Sequence, residues 1–266
     1  MKSLLDLGQM LACHARLSPQ RIGARDLERS MTFRQWNARA CRLANALLGL
    51  GLSKGDRVAI LAYNTVEWVE IYAAAAKAGL VAVPLNFRLV GKEIRYVVDD
   101  AEAAAIIVQD QLVGALEEVG SELSVRPSRR IWFGVGRCPA GYVAYEELMC
   151  GARDSEPEIA VAPEDPWMLM YTSGTTGNPK GAIRNHRGGA MLSLVTEIEL
   201  GVGRDDGALL VMPMSHANSL YFFSPSPIAG RRPQFTAARA LIRSTARVFS
   251  ARASARSLRW CPHTMR

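Results

Sequence analysis

The sequence lacks the residue patterns of several classes of protein. Its five cysteines are odd in number and form no C-x-x-C pair, which argues against a disulfide framework or a zinc site. Free cysteines favour a reducing compartment, so we expect a cytoplasmic protein with no metal ligands of its own. Asp6 stands directly behind Leu4 and Leu5, and no apolar region of a signal peptide forms.

Uncharged runs are also scarce, and the longest one is a poor candidate for a membrane span. Gly207–Gly230 carries no charge, but it contains His216, Asn218, several serines and three prolines. These groups would leave hydrogen-bonding capacity unsatisfied in lipid. The composition predicts a buried strand followed by a loop, and no transmembrane segment.

Acidic residues and lysines are absent from residues 231–266, which contain nine arginines. Removing those nine leaves 23 basic and 25 acidic residues, so residues 1–230 carry a net charge of −2 although the whole chain carries +7. A basic arm could contact nucleic acid or an anionic membrane. A binding module of that kind is therefore one hypothesis for the function.

The rest of the chain has the composition of a globular protein, with 49% hydrophobic and 21% charged residues. From about residue 32 to residue 212, helical and strand patterns alternate, which predicts βαβ layers with a mostly parallel sheet. One helix is expected after a Thr32/Gln35 capping box, and a second after a cap at Asn64 or Thr65, with its end at Gly79. Two more helices are expected over about 93–99 and 188–198. The strands are expected at Arg57–Leu61, Val81–Leu85, Ala104–Val108, Arg130–Phe133, Pro166–Tyr171, Ala182–Asn185 and Ala208–Met212.

A glycine-rich loop follows one of these strands directly. Tyr171–Gly181 reads Y-T-S-G-T-T-G-N-P-K-G, in which glycines let backbone N–H groups approach an anion, four hydroxyls add donors and a lysine adds positive charge. The order of residues excludes a Walker A loop and a dinucleotide fingerprint, and a flexible surface turn is the plain alternative. The candidate phosphate ligands are Thr172, Ser173, Gly174, Thr175, Thr176, Gly177 and Lys180.

This loop resembles the signature loop of the class I adenylate-forming (AMP-binding) superfamily, which includes acyl-CoA synthetases, peptide-synthetase adenylation domains and luciferases. Gly55–Ile60 and Ala78–Asn86 are also similar to that family, and the resemblance covers about 20–223. Met212–Asn218 resembles the P-x-x-H segment beside the acyl pocket of acyl-CoA synthetases.

The resemblance implies an AMP-forming acyl-CoA ligase that uses ATP, Mg²⁺ and CoA with a small-molecule carboxylic acid. A carboxylate and ATP give an acyl-adenylate and pyrophosphate, and the thiol of CoA then displaces AMP. The loop from Thr172 to Thr176 and Lys180 would hold the β- and γ-phosphates, and His216 would line or gate the acyl site. The alternative for His216 is a hydrogen-bonded core histidine. The other histidines, at positions 14, 186 and 263, are expected to be structural or incidental.

The resemblance stops after about Ser224, so we expect an incomplete N-terminal domain over residues 1–223 and a non-family, disordered tail over 224–266. Shifting the reading frame of the back-translated tail by one base permits the segment S-L-V-P-T-H-Y-A in place of its last residues. That segment resembles one found in acyl-CoA synthetases. The tail is therefore interpreted as a frameshift product, with a genuine basic extension as the alternative. The family's adenine, magnesium and ribose contacts and its C-terminal domain with the catalytic lysine would be missing, so this chain alone is expected to be inactive.

Overall fold

A computed structural model describes residues 5–172, 179–201 and 207–219, together with the backbone of 232–235. The described helices are α1 (Leu7–Leu17), α2 (Phe33–Gly49), α3 (Val66–Ala78), α4 (Gly91–Asp100), α5 (Val113–Glu117), α6 (Tyr145–Met149) and α7 (His186–Leu200). The described strands are β1 (Ile22–Arg25), β2 (Ser30–Thr32), β3 (Arg57–Leu61), β4 (Val81–Pro84), β5 (Ala103–Gln109), β6 (Arg130–Phe133), β7 (Val143–Ala144), β8 (Pro166–Thr172), β9 (Lys180–Asn185), β10 (Gly207–Leu210) and β11 (Arg232–Phe235).

The larger of two sheets has seven strands in the order β7-β6-β5-β3-β4-β8-β9. All neighbours in it pair in parallel except β8 and β9, which form an antiparallel hairpin at one edge. This arrangement confirms the expected mostly parallel α/β fold. Because βαβ crossovers place helices on both faces, the central strands are buried on both sides.

Alternate residues of the central strands point into two separate hydrophobic cores. Val58 and Ile60 of β3 join the core formed with α1, α2, α3 and α6. Ala59 and Leu61 of the same strand join the core under α4 and α5. This period of two is the geometry of a strand that is covered on both faces.

The smaller sheet has four strands in the order β10-β11-β1-β2. Strand β11 pairs in parallel with both β10 and β1. It lies within the tail over 224–266 that we expected to be disordered, where the structure describes a strand at Arg232–Phe235. The other residues of 224–266 lie outside the described part of the chain.

Several local predictions are confirmed at the residue level. The Thr32/Gln35 capping box begins α2, the bounds of β3 and β6 are as expected, and Gly79 ends α3 in the left-handed conformation. Helix α7 begins two residues before the expected position, because the Asn185 side chain caps it by accepting from the N–H of Gly188.

The expected side-chain cap of α3 is wrong. Thr65 occupies the N-cap position, but it makes no side-chain cap hydrogen bond. Instead, Oδ2 of Asp26 accepts from the N–H of Val66 at 3.2 Å. The first turn of α3 is therefore capped by a residue from the turn between β1 and β2. The Asn64 side chain bonds Met212 and Met214 instead.

The uncharged segment from residue 207 onward opens with β10, which is only partly buried: Leu210 is buried, whereas Leu209 is 46% exposed. Of the helices among the described residues, none has the length and apolar character needed to cross a bilayer.

Candidate active site

The ends of the glycine-rich loop meet at the open end of the β8–β9 hairpin. Thr172, the last residue of β8, pairs with Lys180, the first residue of β9, and the Thr172 hydroxyl donates to the Lys180 carbonyl at 3.4 Å. Both side chains are exposed. The structure therefore brings these two predicted phosphate ligands together at the carboxyl edge of the parallel sheet, where ligands of open α/β sheets bind.

The other predicted ligands of the loop, Ser173, Gly174, Thr175, Thr176 and Gly177, lie outside the described residues. Their assignment to phosphate binding stays a prediction.

Helix α4 holds both ends of the hairpin opening. The hydroxyl of Tyr171 donates to Oδ2 of Asp100, and the hydroxyl of Tyr96 donates to the carbonyl of Pro179 at 3.4 Å. Burial and the adjacent Asp100 carboxylate raise the pKa of Tyr171, so its hydroxyl keeps the proton that it donates. Tyr96 and Asp100 are four residues apart and share one face of α4. Sequence reasoning did not find this pair, since nothing in the local pattern connects it with a loop more than seventy residues away.

The segment that carries His216 lies at the same edge of the sheet. Asn64, just beyond the carboxyl end of β3, donates to the Met212 carbonyl and accepts from the N–H of Met214, each at 2.8 Å. Strands β3 and β8 are separated by β4 alone. Two strand spacings place the ends of β3 and β8 about 10 Å apart.

His216 itself is exposed, which excludes the alternative of a core histidine. Its Nδ1 accepts from the N–H of Asn218 at 3.2 Å, and its own N–H donates to the Pro213 carbonyl at 2.9 Å. These bonds form a tight turn that fixes the backbone and leaves the ring at the surface.

An open cavity of about 520 Å³ lies between α7 and the chain that leaves β10. Asn218 and Ser219, which follow His216, form part of its wall, with Thr196 and Glu199 from α7. The remaining lining is aliphatic and comprises Leu192, Val195, Leu200, Leu209, Leu210, Val211 and Met212. The size and lining suit the apolar part of a small molecule.

Three other histidines were expected to be structural or incidental. His186 is fully buried at the start of α7, and its Nδ1 accepts from the N–H of Leu7 at 3.3 Å. His14 is also buried and stacks on Phe33 with a centroid distance of 5.1 Å. Both positions agree with a structural role, and His263 lies outside the described residues.

Comparison with known proteins places this α/β fold among the N-terminal domains of adenylate-forming enzymes. The N-terminal domain of FACL13 from Mycobacterium tuberculosis, solved with an inhibitor bound, aligns with a TM-score of 0.75 at 29% identity over 89% of this chain and 57% of that one. The anthranilate CoA ligase AuaEII aligns with a TM-score of 0.79 over 86% of this chain and 44% of that one. Because the identity to AuaEII is 23%, this similarity shows a shared fold and nothing more.

The sequence model of the family described as "AMP-binding enzyme" matches residues 11–248, and the chain belongs to that family. The match is longer at both ends than the resemblance seen in the sequence, and it continues past Ser224. A long-chain-fatty-acid–CoA ligase of M. tuberculosis, FadD13, is 32% identical over 238 residues, which cover 87% of this chain and 46% of the relative. A feruloyl-CoA synthase from Amycolatopsis sp is 33% identical over 214 residues, which cover 80% and 40% respectively. The chain thus spans about half the length of these relatives.

Proposed function

We propose that this chain supplies the ATP-phosphate and acyl-binding part of an AMP-forming acyl-CoA ligase. In that reaction a carboxylate oxygen attacks the α-phosphorus of ATP and releases pyrophosphate, and the thiol of CoA then displaces AMP from the acyl-adenylate. One observation carries the proposal: the hairpin opening with Thr172 and Lys180 lies at the carboxyl edge of the larger sheet, and at that same edge Asn64 bonds Met212, which lines the apolar cavity.

On the phosphate side, the Lys180 ammonium and the Thr172 hydroxyl would bind oxygens of the departing pyrophosphate. Charge-assisted bonds of this kind stabilise negative charge as it develops on the leaving group. ATP would arrive as its Mg²⁺ complex. The described part of the chain contains no group of three or more His, Cys, Asp or Glu side chains that could hold the ion.

On the acyl side, the aliphatic lining of the cavity suits a carboxylic acid with an apolar tail. His216 would line or gate this site, since its ring is exposed and the residues after it form part of the cavity wall. The 266-residue chain by itself is proposed to give no net acyl-CoA formation, because it spans only about half the length of the acyl-CoA ligases that it matches.

Replacing Lys180 with alanine is expected to weaken binding of trinitrophenyl-ATP, a fluorescent ATP analogue, about tenfold, because one charge-assisted contact to phosphate is lost. The measurement is a fluorescence titration of the 266-residue chain at low ionic strength. Lys54→Ala is the matched control, since Lys54 is an exposed lysine just before β3, at the amino edge of the parallel sheet and therefore opposite the hairpin opening. Equal affinities for Lys180→Ala and the unmodified chain would contradict the phosphate role. Carboxylate-dependent exchange of pyrophosphate into ATP by the unmodified chain would contradict its proposed inactivity.

A further inference from the structure

We propose that Asn64 is a positioning residue of the acyl site, whose carboxamide fixes Met212 in the wall of the cavity and the backbone that leads from Met212 to His216. The inference rests on the proposed function, because it assigns a role within the acyl site. It adds a residue that lies in neither the glycine-rich loop nor the His216 segment.

The Asn64 carboxamide bonds the backbone of the segment that leaves β10. Its Nδ2 donates to the Met212 carbonyl at 2.8 Å and makes a longer contact of 3.4 Å with the Leu210 carbonyl. Its Oδ1 accepts from the N–H of Met214 at 2.8 Å. Donor and acceptor are therefore both used on one stretch of chain about 150 residues away in sequence. The side chain thus supplies hydrogen-bond partners to the backbone where the chain leaves β10.

Asn64 is not needed as the cap of α3, the role that its sequence position suggests. An asparagine directly before a helix is a favoured cap. Here Asp26 caps α3 instead, accepting from the N–H of Val66 through Oδ2 and from the N–H groups of Glu28 and Arg29 through Oδ1. Because Asp26 caps the first turn of α3, the Asn64 carboxamide can form its hydrogen bonds with the His216 segment.

Two of the three residues that Asn64 bonds belong to the cavity wall. Leu210 and Met212 line the cavity, and the Met212 carbonyl accepts a second bond, from the buried hydroxyl of Ser219 at 2.8 Å. Ser219 also lines the cavity, and its N–H donates to the His216 carbonyl at 3.1 Å. The Met214 carbonyl is bonded to the Tyr72 hydroxyl of α3. Through these bonds, Asn64 attaches the turn that carries His216 to the sheet edge at which β8 ends in Thr172.

The test measures the two substrate sites separately in the 266-residue chain. Binding of cis-parinaric acid, a naturally fluorescent fatty acid, reports on the acyl cavity, and binding of trinitrophenyl-ATP reports on the phosphate side. Asn64→Asp keeps the acceptor for Met214 but places a carboxylate oxygen against the Met212 carbonyl. We expect it to raise the dissociation constant for cis-parinaric acid about tenfold and to change that for trinitrophenyl-ATP by less than about twofold.

Two further variants make the result specific. Asn45→Asp is the matched control: Asn45 likewise donates to two backbone carbonyls, those of Arg153 and Ser155 at 2.8 and 3.0 Å, but on α2 and away from the cavity. It should leave both dissociation constants unchanged. Ser219→Ala removes the other bond to the Met212 carbonyl, and we expect about a threefold loss for the fatty acid alone. This variant keeps the proposal testable if Asn64→Asp does not fold.

Unchanged binding of the fatty acid by Asn64→Asp and Ser219→Ala would overturn the role of Asn64 and leave the acyl site standing. Equal weakening of both probes by Asn64→Asp would overturn it as well, because that pattern indicates general destabilisation. If the unmodified chain binds cis-parinaric acid without saturation, the acyl site of the proposed function is itself overturned, together with the role of Asn64 in it.

Discussion

Replacing Arg39 with methionine is expected to lower the free energy of unfolding by about 3–5 kcal/mol, because it leaves a buried carboxylate without its partner. Glu70 of α3 is fully buried, and it accepts from Nε and Nη2 of Arg39 at 2.6 and 3.0 Å and from the Tyr145 hydroxyl at 2.9 Å. Burial raises the pKa of Glu70 in spite of this arginine. Without the guanidinium, the carboxyl must stay charged in an apolar core or bind a proton.

Urea unfolding followed by tryptophan fluorescence measures this effect, and α2 offers a matched control. Arg42→Met removes a guanidinium from the same helix, but its ion pair with Asp154 is exposed and 3.4 Å long. That change should cost about 1 kcal/mol or less. The double variant Arg39→Met/Glu70→Met removes both charges, and it should regain most of the loss. A cost for Arg39→Met no larger than that for Arg42→Met would show that the buried pair does not stabilise the fold.

The second large effect concerns pH and His186. Burial lowers the pKa of His186 to about 4 from the ordinary value of 6.5, although Asp165 acts in the opposite direction and Lys54 in the same one. Above pH 6.5 the ring is neutral in both the folded and the unfolded chain, so its contribution to stability is complete. Between pH 6.5 and 4 the unfolded chain binds a proton that the folded chain does not, and stability falls by about 3 kcal/mol.

The measurement is the free energy of unfolding of the unmodified chain and of His186→Asn between pH 4.5 and 8. Asparagine can offer an acceptor to the N–H of Leu7, but it does not titrate. The two curves should run parallel above pH 7, and the curve of the variant should be flatter below pH 6.5. Identical slopes in the acidic range would mean that His186 does not drive the acid destabilisation.

Local patterns determined several elements without help from the tertiary structure. The capping box at Thr32, the run Arg57–Leu61 and the stop at Gly79 depend on residues within a few positions of each other, and all three are confirmed. The same holds for the hairpin strands on either side of the glycine-rich loop, although their antiparallel pairing became clear only in the structure. The short strands β1 and β2 were not predicted, since they depend on partners across a sheet more than on their own pattern.

The sequence by itself determined the family and the reaction that the family implies, because the order of residues from Tyr171 to Gly181 and from Met212 to Asn218 is specific enough to carry that resemblance. Only the tertiary structure decided which side chains hold these segments. Asn64 lay next to a helix that it could have capped, yet its carboxamide bonds residues about 150 positions away. A hydrogen bond depends on distances of about 3 Å, and sequence spacing carries no information on such distances between remote segments.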